Sequence, residues 1–242
     1  MKIWLGLFLA LSCVFSGELK IVAAANLKGV METIKTEFLK DFPNEEIEIT
    51  YLSSGKAYAQ IKNGLEVDLF FSADLQKAQK LFKEGLGLLE PRIYALGKLV
   101  VCSAKDINLS TDSVFLSPNV KHISIANPKL APYGEAGEAF LKQKKLYDKV
   151  KDKLVIGDSI GQAFLHVKSG SAEIGLNALS LVIFDSTMSY RILDEKAYPP
   201  IQQAMIILKR TKNEALARSF ARFVMSDEGQ KIFESFGYGR NE

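Results

Sequence analysis

Short strand-like runs alternate with helix-period segments along almost the whole chain after residue 17, and this alternation limits the fold more than any other feature. It points to α/β architecture with largely parallel sheets. Two of the units stand out. Leu19-Lys20-Ile21-Val22-Ala23-Ala24-Ala25-Asn26 leads into a helical pattern in which Leu27, Val30, Ile34 and Phe38 share a face. Ile47 to Leu52 leads through Ser53-Ser54-Gly55 into another. Each unit sets backbone N–H groups and a short polar side chain at a helix N-terminus, the ingredients of an anion site. Neither turn has a basic residue at its tip, so an anion there would be held by dipoles and hydrogen bonds rather than by charge.

The series continues in two blocks. Val67 to Phe71 reads as a buried strand, followed by a helix capped at Ser72 or Asp74 and stopped at Gly85. Strands are then expected at Lys98–Cys102, His122–Ala126, Leu154–Ile156, Ile174–Asn177 and Ala204–Leu208. Helices are expected after Pro132-Tyr133-Gly134 and Ser159-Ile160, and two more near the C-terminus. The division between blocks falls near Ala95–Lys98, and Tyr198-Pro199-Pro200 marks the chain's return, since paired prolines break helix and strand alike. The expected organisation is a first lobe of residues 17–96 plus 204–242, a second of 97–203, and a central cleft crossed twice by the chain.

The N-terminus reads as an export signal. Lys2 precedes an apolar run from Ile3 to Leu11, and small residues follow at Ser12, Ser16 and Gly17. Residues 1–16 are assigned to a signal peptide, so the mature protein is expected to be exported. Lipid attachment at Cys13 is the rival reading, weakened by Ala10 standing where a Leu-like residue is wanted. Without Cys13 only Cys102 remains, in an apolar run, and it reads as a buried small hydrophobe. A formal net charge of +3 in 242 residues, with no block of Lys and Arg, argues against a nucleic-acid partner.

Four turns are candidates to meet at one ligand: Ala25-Asn26 and Ser53-Ser54 in the first lobe, Tyr133 and Ser159-Ile160 in the second. Each lies at a helix start after a strand, where open α/β sheets bind ligands. Each also has a plainer reading. Asn26 and Ser54 read as N-caps, Tyr133 as a packing residue, and Ile160 as a core aliphatic whose backbone N–H is its one functional group.

Several blocks resemble the periplasmic molybdate-binding proteins of ABC importers. They are Ala23-Ala24-Ala25-Asn26, Ser53-Ser54-Gly55-Lys56-Ala57-Tyr58, Asp68-Leu69-Phe70-Phe71-Ser72-Ala73-Asp74, Tyr94-Ala95-Leu96-Gly97-Lys98 and Asn127-Pro128-Lys129-Leu130-Ala131-Pro132-Tyr133-Gly134. The resemblance implies a type II periplasmic binding protein fold, two α/β lobes with an oxyanion in the cleft. It implies molybdate or tungstate as ligand, an inner-membrane ABC permease as partner, a monomer, and no cofactor. Carried over by motif, the oxyanion-binding residues are Ala25, Asn26, Ser54, Tyr133 and Ile160, with Ser53 and Asn177 as further candidates. Some family members carry a tyrosine in the segment matching Gly175-Leu176-Asn177-Ala178. This chain has none there, which puts it in the branch that uses Asn26 and Tyr133.

The chemistry of the turns fits such an ion. Molybdate and tungstate are fully deprotonated dianions that only accept hydrogen bonds, whereas hydrogen phosphate brings a proton that a donor-only site cannot receive. Sulfate passes that test and must be rejected on size, so a receptor for another oxyanion remains an alternative. An enzyme acting on an anionic substrate is the other. Against it, His122 and His166 are the only histidines, neither in a metal-ligand spacing, and no Walker A motif occurs.

Overall fold

The computed structural model describes residues 17–241; the segment assigned to the signal peptide, with Cys13, lies outside them. The N-terminal part runs β1 (Glu18–Ala24), α1 (Lys28–Asp41), β2 (Glu46–Leu52), α2 (Ser54–Lys62), β3 (Leu69–Ser72), α3 (Leu75–Lys83) and β4 (Arg92–Gly97). The middle part begins with β5 (Leu99–Ser103), β6 (Ile123–Ala126), α4 (Pro132–Gln143), α5 (Tyr147–Val150) and β7 (Leu154–Gly157). It continues with α6 (Ile160–Lys168), β8 (Ile174–Ala178), α7 (Leu179–Val182) and β9 (Ser189–Ile192). The chain then returns through β10 (Ile201–Ile207), α8 (Glu214–Val224) and α9 (Asp227–Ser235).

The strands form two five-stranded sheets, ordered β2-β1-β3-β10-β4 and β7-β6-β8-β5-β9. The expectation of largely parallel sheets is corrected. Each sheet is mixed: β1 pairs in parallel with β2 and β3, and β6 with β7 and β8, while β10 and β5 pair antiparallel with their neighbours. The cause lies in the connections. Strand β4 carries the chain out to the second lobe and β10 brings it back beside β4, so the two must run in opposite directions. Strand β10 also starts at Ile201 rather than Ala204, pairing Ile201 with Gly97. The Tyr198 hydroxyl accepts from the Leu99 N–H at 3.1 Å, tying one crossing to the other.

Local signals act as their chemistry dictates. Asp74 caps α3 by accepting from the Lys77 N–H at 2.7 Å. Gly85 ends that helix in the left-handed region at φ +75°, with the Leu86 N–H reaching back to the Leu81 carbonyl. Strand β3 is buried along its whole length, flanked by β1 and β10. The C-terminal helices pack on the first sheet through aromatic rings. Phe38 meets Phe220, Phe71 meets Tyr94, and Tyr94 meets Phe233 at centroid separations of 5.1, 5.4 and 5.1 Å. Phe233 in turn meets Tyr238 at 5.5 Å, so this aromatic core ends at a hydroxyl between the lobes. Cys102 lies inside the second sheet, where burial pushes its thiol up to about 12. Among the described residues no helix is long and apolar enough to cross a membrane.

Candidate binding site between the lobes

The first lobe offers two turns. After β1 the chain makes a single 3-10 turn, Ala25–Leu27, before entering α1, which buries Asn26. The Asn26 Nδ2 group donates to Gln203 Oε1 at 3.0 Å and to the Tyr238 hydroxyl at 2.8 Å. Its carbonyl accepts from Ser180 Oγ at 3.0 Å, with the Tyr238 hydroxyl 3.1 Å away. Both amide protons of Asn26 are thus engaged, which leaves its backbone N–H and its unpartnered Oδ1. In the second turn, Ser53 stands at the cap position of α2, yet its hydroxyl makes no capping bond and has no partner. Ser54 Oγ accepts from the Ala73 N–H at 2.9 Å, so its own proton is free to point elsewhere. Neither Asn26 nor Ser54 caps its helix through the side chain, and the plainer reading of both fails.

The second lobe meets these turns directly. The Gly55 N–H donates to the Leu130 carbonyl at 2.8 Å, and a Cβ on Gly55 would stand 2.8 Å from that same oxygen. Only glycine allows the approach, because backbone cannot give way as a flexible side chain can. Gly161, next to Ile160, faces the Ala25 methyl, and a Cβ there would stand 3.5 Å from it. Lys56 Nζ pairs with Asp158 Oδ2 at 2.6 Å across the rim, with side chains 41% and 64% exposed. The cation closest to the Ser53-Ser54 turn in sequence is therefore engaged at the surface. Asp158 thereby bridges the lobes.

Tyr133 enters from the start of α4 and is buried, with a hydroxyl that has no partner. Burial, with Tyr238, Tyr198 and Tyr94 nearby, holds its ionisation well above the ordinary phenol value, so it stays protonated and able to donate. The Tyr133 hydroxyl and Gln203 Nε2 converge on Gly97, where a Cβ would lie 2.2 and 2.9 Å from them. Ile160 is the first residue of α6. Ser159 caps that helix through Oγ, accepting from Gln162 at 3.2 Å, and the Ile160 side chain is buried. The N–H of a first helical residue has no intrahelical acceptor. Asn177, next to last in β8, is buried in the core; its Oδ1 accepts from the Ala178 N–H at 2.9 Å and its Nδ2 has no partner.

Three residues of this network carry no sequence expectation: Ser180, Gln203 and Tyr238. Ser180 and Tyr238 give no signal. Gln203 does, because period-2 reading of Ile201-Gln202-Gln203-Ala204-Met205 places it on the face of Ile201 and Met205, where a polar residue needs a reason. Of the six buried side-chain polar atoms without a partner among the described residues, four belong to Asn26, Ser53, Tyr133 and Gln203. Such atoms are costly to bury, at about 1–3 kcal/mol each; the Ser53 and Tyr133 hydroxyls and Gln203 Nε2 are donors that an accepting ligand could satisfy, whereas Asn26 Oδ1 is an acceptor that it could not. Among the described residues no group of three His, Cys, Asp or Glu side chains is placed to hold a metal cation.

The bacterial extracellular solute-binding protein family matches residues 19–239. The molybdate-binding protein ModA of Azotobacter vinelandii is 36% identical over 229 residues, covering 93% of this chain and 90% of that protein. The solved periplasmic molybdate-binding protein of A. vinelandii superposes with a TM-score of 0.88 at 34% identity, over 93% of this chain and 100% of that one. A substrate-binding domain of a putative molybdenum ABC transporter from Clostridium difficile superposes with a TM-score of 0.73 at 33% identity, over 94% and 100%. Sequence and architecture agree: the chain belongs to the bacterial extracellular solute-binding protein family, in its ModA branch.

Proposed function

We propose that the protein captures molybdate, and tungstate by the same chemistry, between its two lobes and delivers it to an inner-membrane ABC permease. As a member of a solute-binding family it is a receptor rather than an enzyme. The observation that carries the ligand class is the ring of buried donors without a basic side chain. The Ser54 and Tyr133 hydroxyls, with the N–H groups of Ala25, Asn26 and Ile160, are the proposed contacts, and Ser53 and Asn177 are supplementary. Hydrogen bonds to a charged group contribute about 1.5–3 kcal/mol each, so five such donors leave enough after desolvation and closure for micromolar or tighter binding. The names of the ModA relatives support molybdate over other oxyanions.

The proposed lobes are residues 17–96 with 204–242, and 97–203. Residues 1–16 are proposed to be removed on export to the periplasm, where the receptor acts as a monomer. A thermal-shift panel of molybdate, tungstate, sulfate, phosphate and chromate tests the reading, since a ligand that binds only the folded state raises the midpoint. Molybdate and tungstate are expected to raise it strongly and phosphate not at all. A larger shift with sulfate than with molybdate would replace this assignment.

A further inference from the structure

We propose that Gln203 is a positioning residue for the oxyanion, its amide setting the Tyr133 hydroxyl as a donor toward the anion. The proposal rests on the reading that Tyr133 and the Asn26 turn contact the anion. Gln203 is fully buried in β10, at the point where the register against β4 slips between Gln203 and Ala204. Its Oε1 accepts from Asn26 Nδ2, which fixes the sense of the amide: carbonyl toward the first lobe's turn, NH2 away from it. That Nε2 has no partner, and together with the Tyr133 hydroxyl it closes on Gly97.

The polarity matters because a phenol has one proton and two lone pairs. A hydroxyl that accepts from Gln203 Nε2 must send its own proton elsewhere, which under this proposal is to the anion. The amide therefore makes Tyr133 a donor toward an anion. A group of opposite polarity at 203 would take that proton for itself. The Nε2-to-Tyr133 bond forms in the anion-bound state, when the anion draws the hydroxyl proton. A side chain needed only to fill the strand would be apolar at this depth; a buried NH2 without a partner, placed with a ligand tyrosine's hydroxyl beside Gly97, suits a positioning role.

The test is a double-mutant cycle on molybdate affinity by titration calorimetry, with Tyr133→Phe, Gln203→Met and the pair. Tyr133→Phe is expected to weaken binding about tenfold or more, and Gln203→Met about fivefold in the wild-type background but less than about twofold beside Tyr133→Phe. Equal weakening by Gln203→Met in both backgrounds would overturn the proposal, leaving Gln203 a packing residue. Wild-type affinity in Tyr133→Phe would instead refute the ligand role of Tyr133 itself.

Gln203→Glu gives a second readout of nearly the same shape. Its ionised carboxylate can only accept, so affinity is expected to fall about a hundredfold at pH 8 and to recover toward pH 6 as the buried acid regains a proton to donate. The wild type stays flat over that range. Wild-type affinity of Gln203→Glu at pH 8 would also overturn the proposal.

Discussion

At Asn26 both amide protons are taken by Gln203 and Tyr238, so replacing the side chain changes more than one contact. Asn26→Asp removes the donor to both partners and places a carboxylate beside a dianion. Molybdate binding is expected to disappear from calorimetric titration, and retained affinity would remove Asn26 from the site. Ser54 is a gentler case. Its oxygen holds the Ala73 N–H while its proton is free for the ligand. Ser54→Ala is expected to weaken molybdate binding by about ten- to a hundredfold, the loss of one charge-assisted bond. It also leaves the Ala73 N–H buried without an acceptor, so the ligand-free thermal midpoint should fall as well.

Among the elements, the start of β8 carries a testable pH effect. The Glu173 carboxylate accepts from the His122 and Lys121 N–H groups at 2.7 and 3.0 Å and pairs with Lys105 at 3.2 Å, anchoring the entry to β6. Burial pushes its ionisation up, but these donors more than reverse it and hold it at about 2. A depressed folded value means stability that is present above the ordinary carboxyl range and lost as pH falls toward 2. Glu173→Gln is expected to lower unfolding stability at neutral pH by about 1–3 kcal/mol, with the difference shrinking below about pH 4 in urea titrations at stepped pH. How much of such detail a sequence carries depends on range. Caps such as Asp74 and Ser159, and the apolar stripe of α1, are set within a few residues and are readable. Strand β9 is a half-exposed edge with no strong pattern, and β4 has none of the flanking signals that mark β1 or β2, so neither was expected. Strand direction is fixed by where the chain crosses between lobes, which local patterning does not encode. The site divides the same way: the turns at Asn26 and Ser54 are local and legible, while Ser180 and Tyr238 meet Asn26 across 154 and 212 residues of sequence.

For the whole molecule, the contacts between the lobes include the Gly55–Leu130 backbone bond, the rim ion pair, the bonds around Asn26 and the Phe184–Phe236 ring pair. Gly55→Ala would drive a Cβ against the Leu130 backbone, which cannot rotate away. Saturating molybdate is expected to shrink the wild type's radius of gyration in X-ray scattering, while Gly55→Ala stays near its ligand-free value and binds at least about tenfold more weakly. Lys56→Ala is the contrasting case. Its pair with Asp158 is exposed and worth about 1 kcal/mol or less, so affinity should fall less than about fivefold, and less still in high salt. A Lys56→Ala loss as large as that of Gly55→Ala would make the ion pair, rather than the backbone approach, the main clasp.

The placement of β10 between β3 and β4 has a further consequence, for the order in which the molecule can be made. The second sheet is built from one continuous stretch, β5 to β9, whereas the first needs strands from both sides of it. A chain delivered N-terminus first therefore presents everything the second sheet requires before β10 emerges to cover β3. Until then β3 is an uncovered apolar edge, and α1 lacks the rings of α8 that pack against it. The residues made earliest are the last to be locked in place.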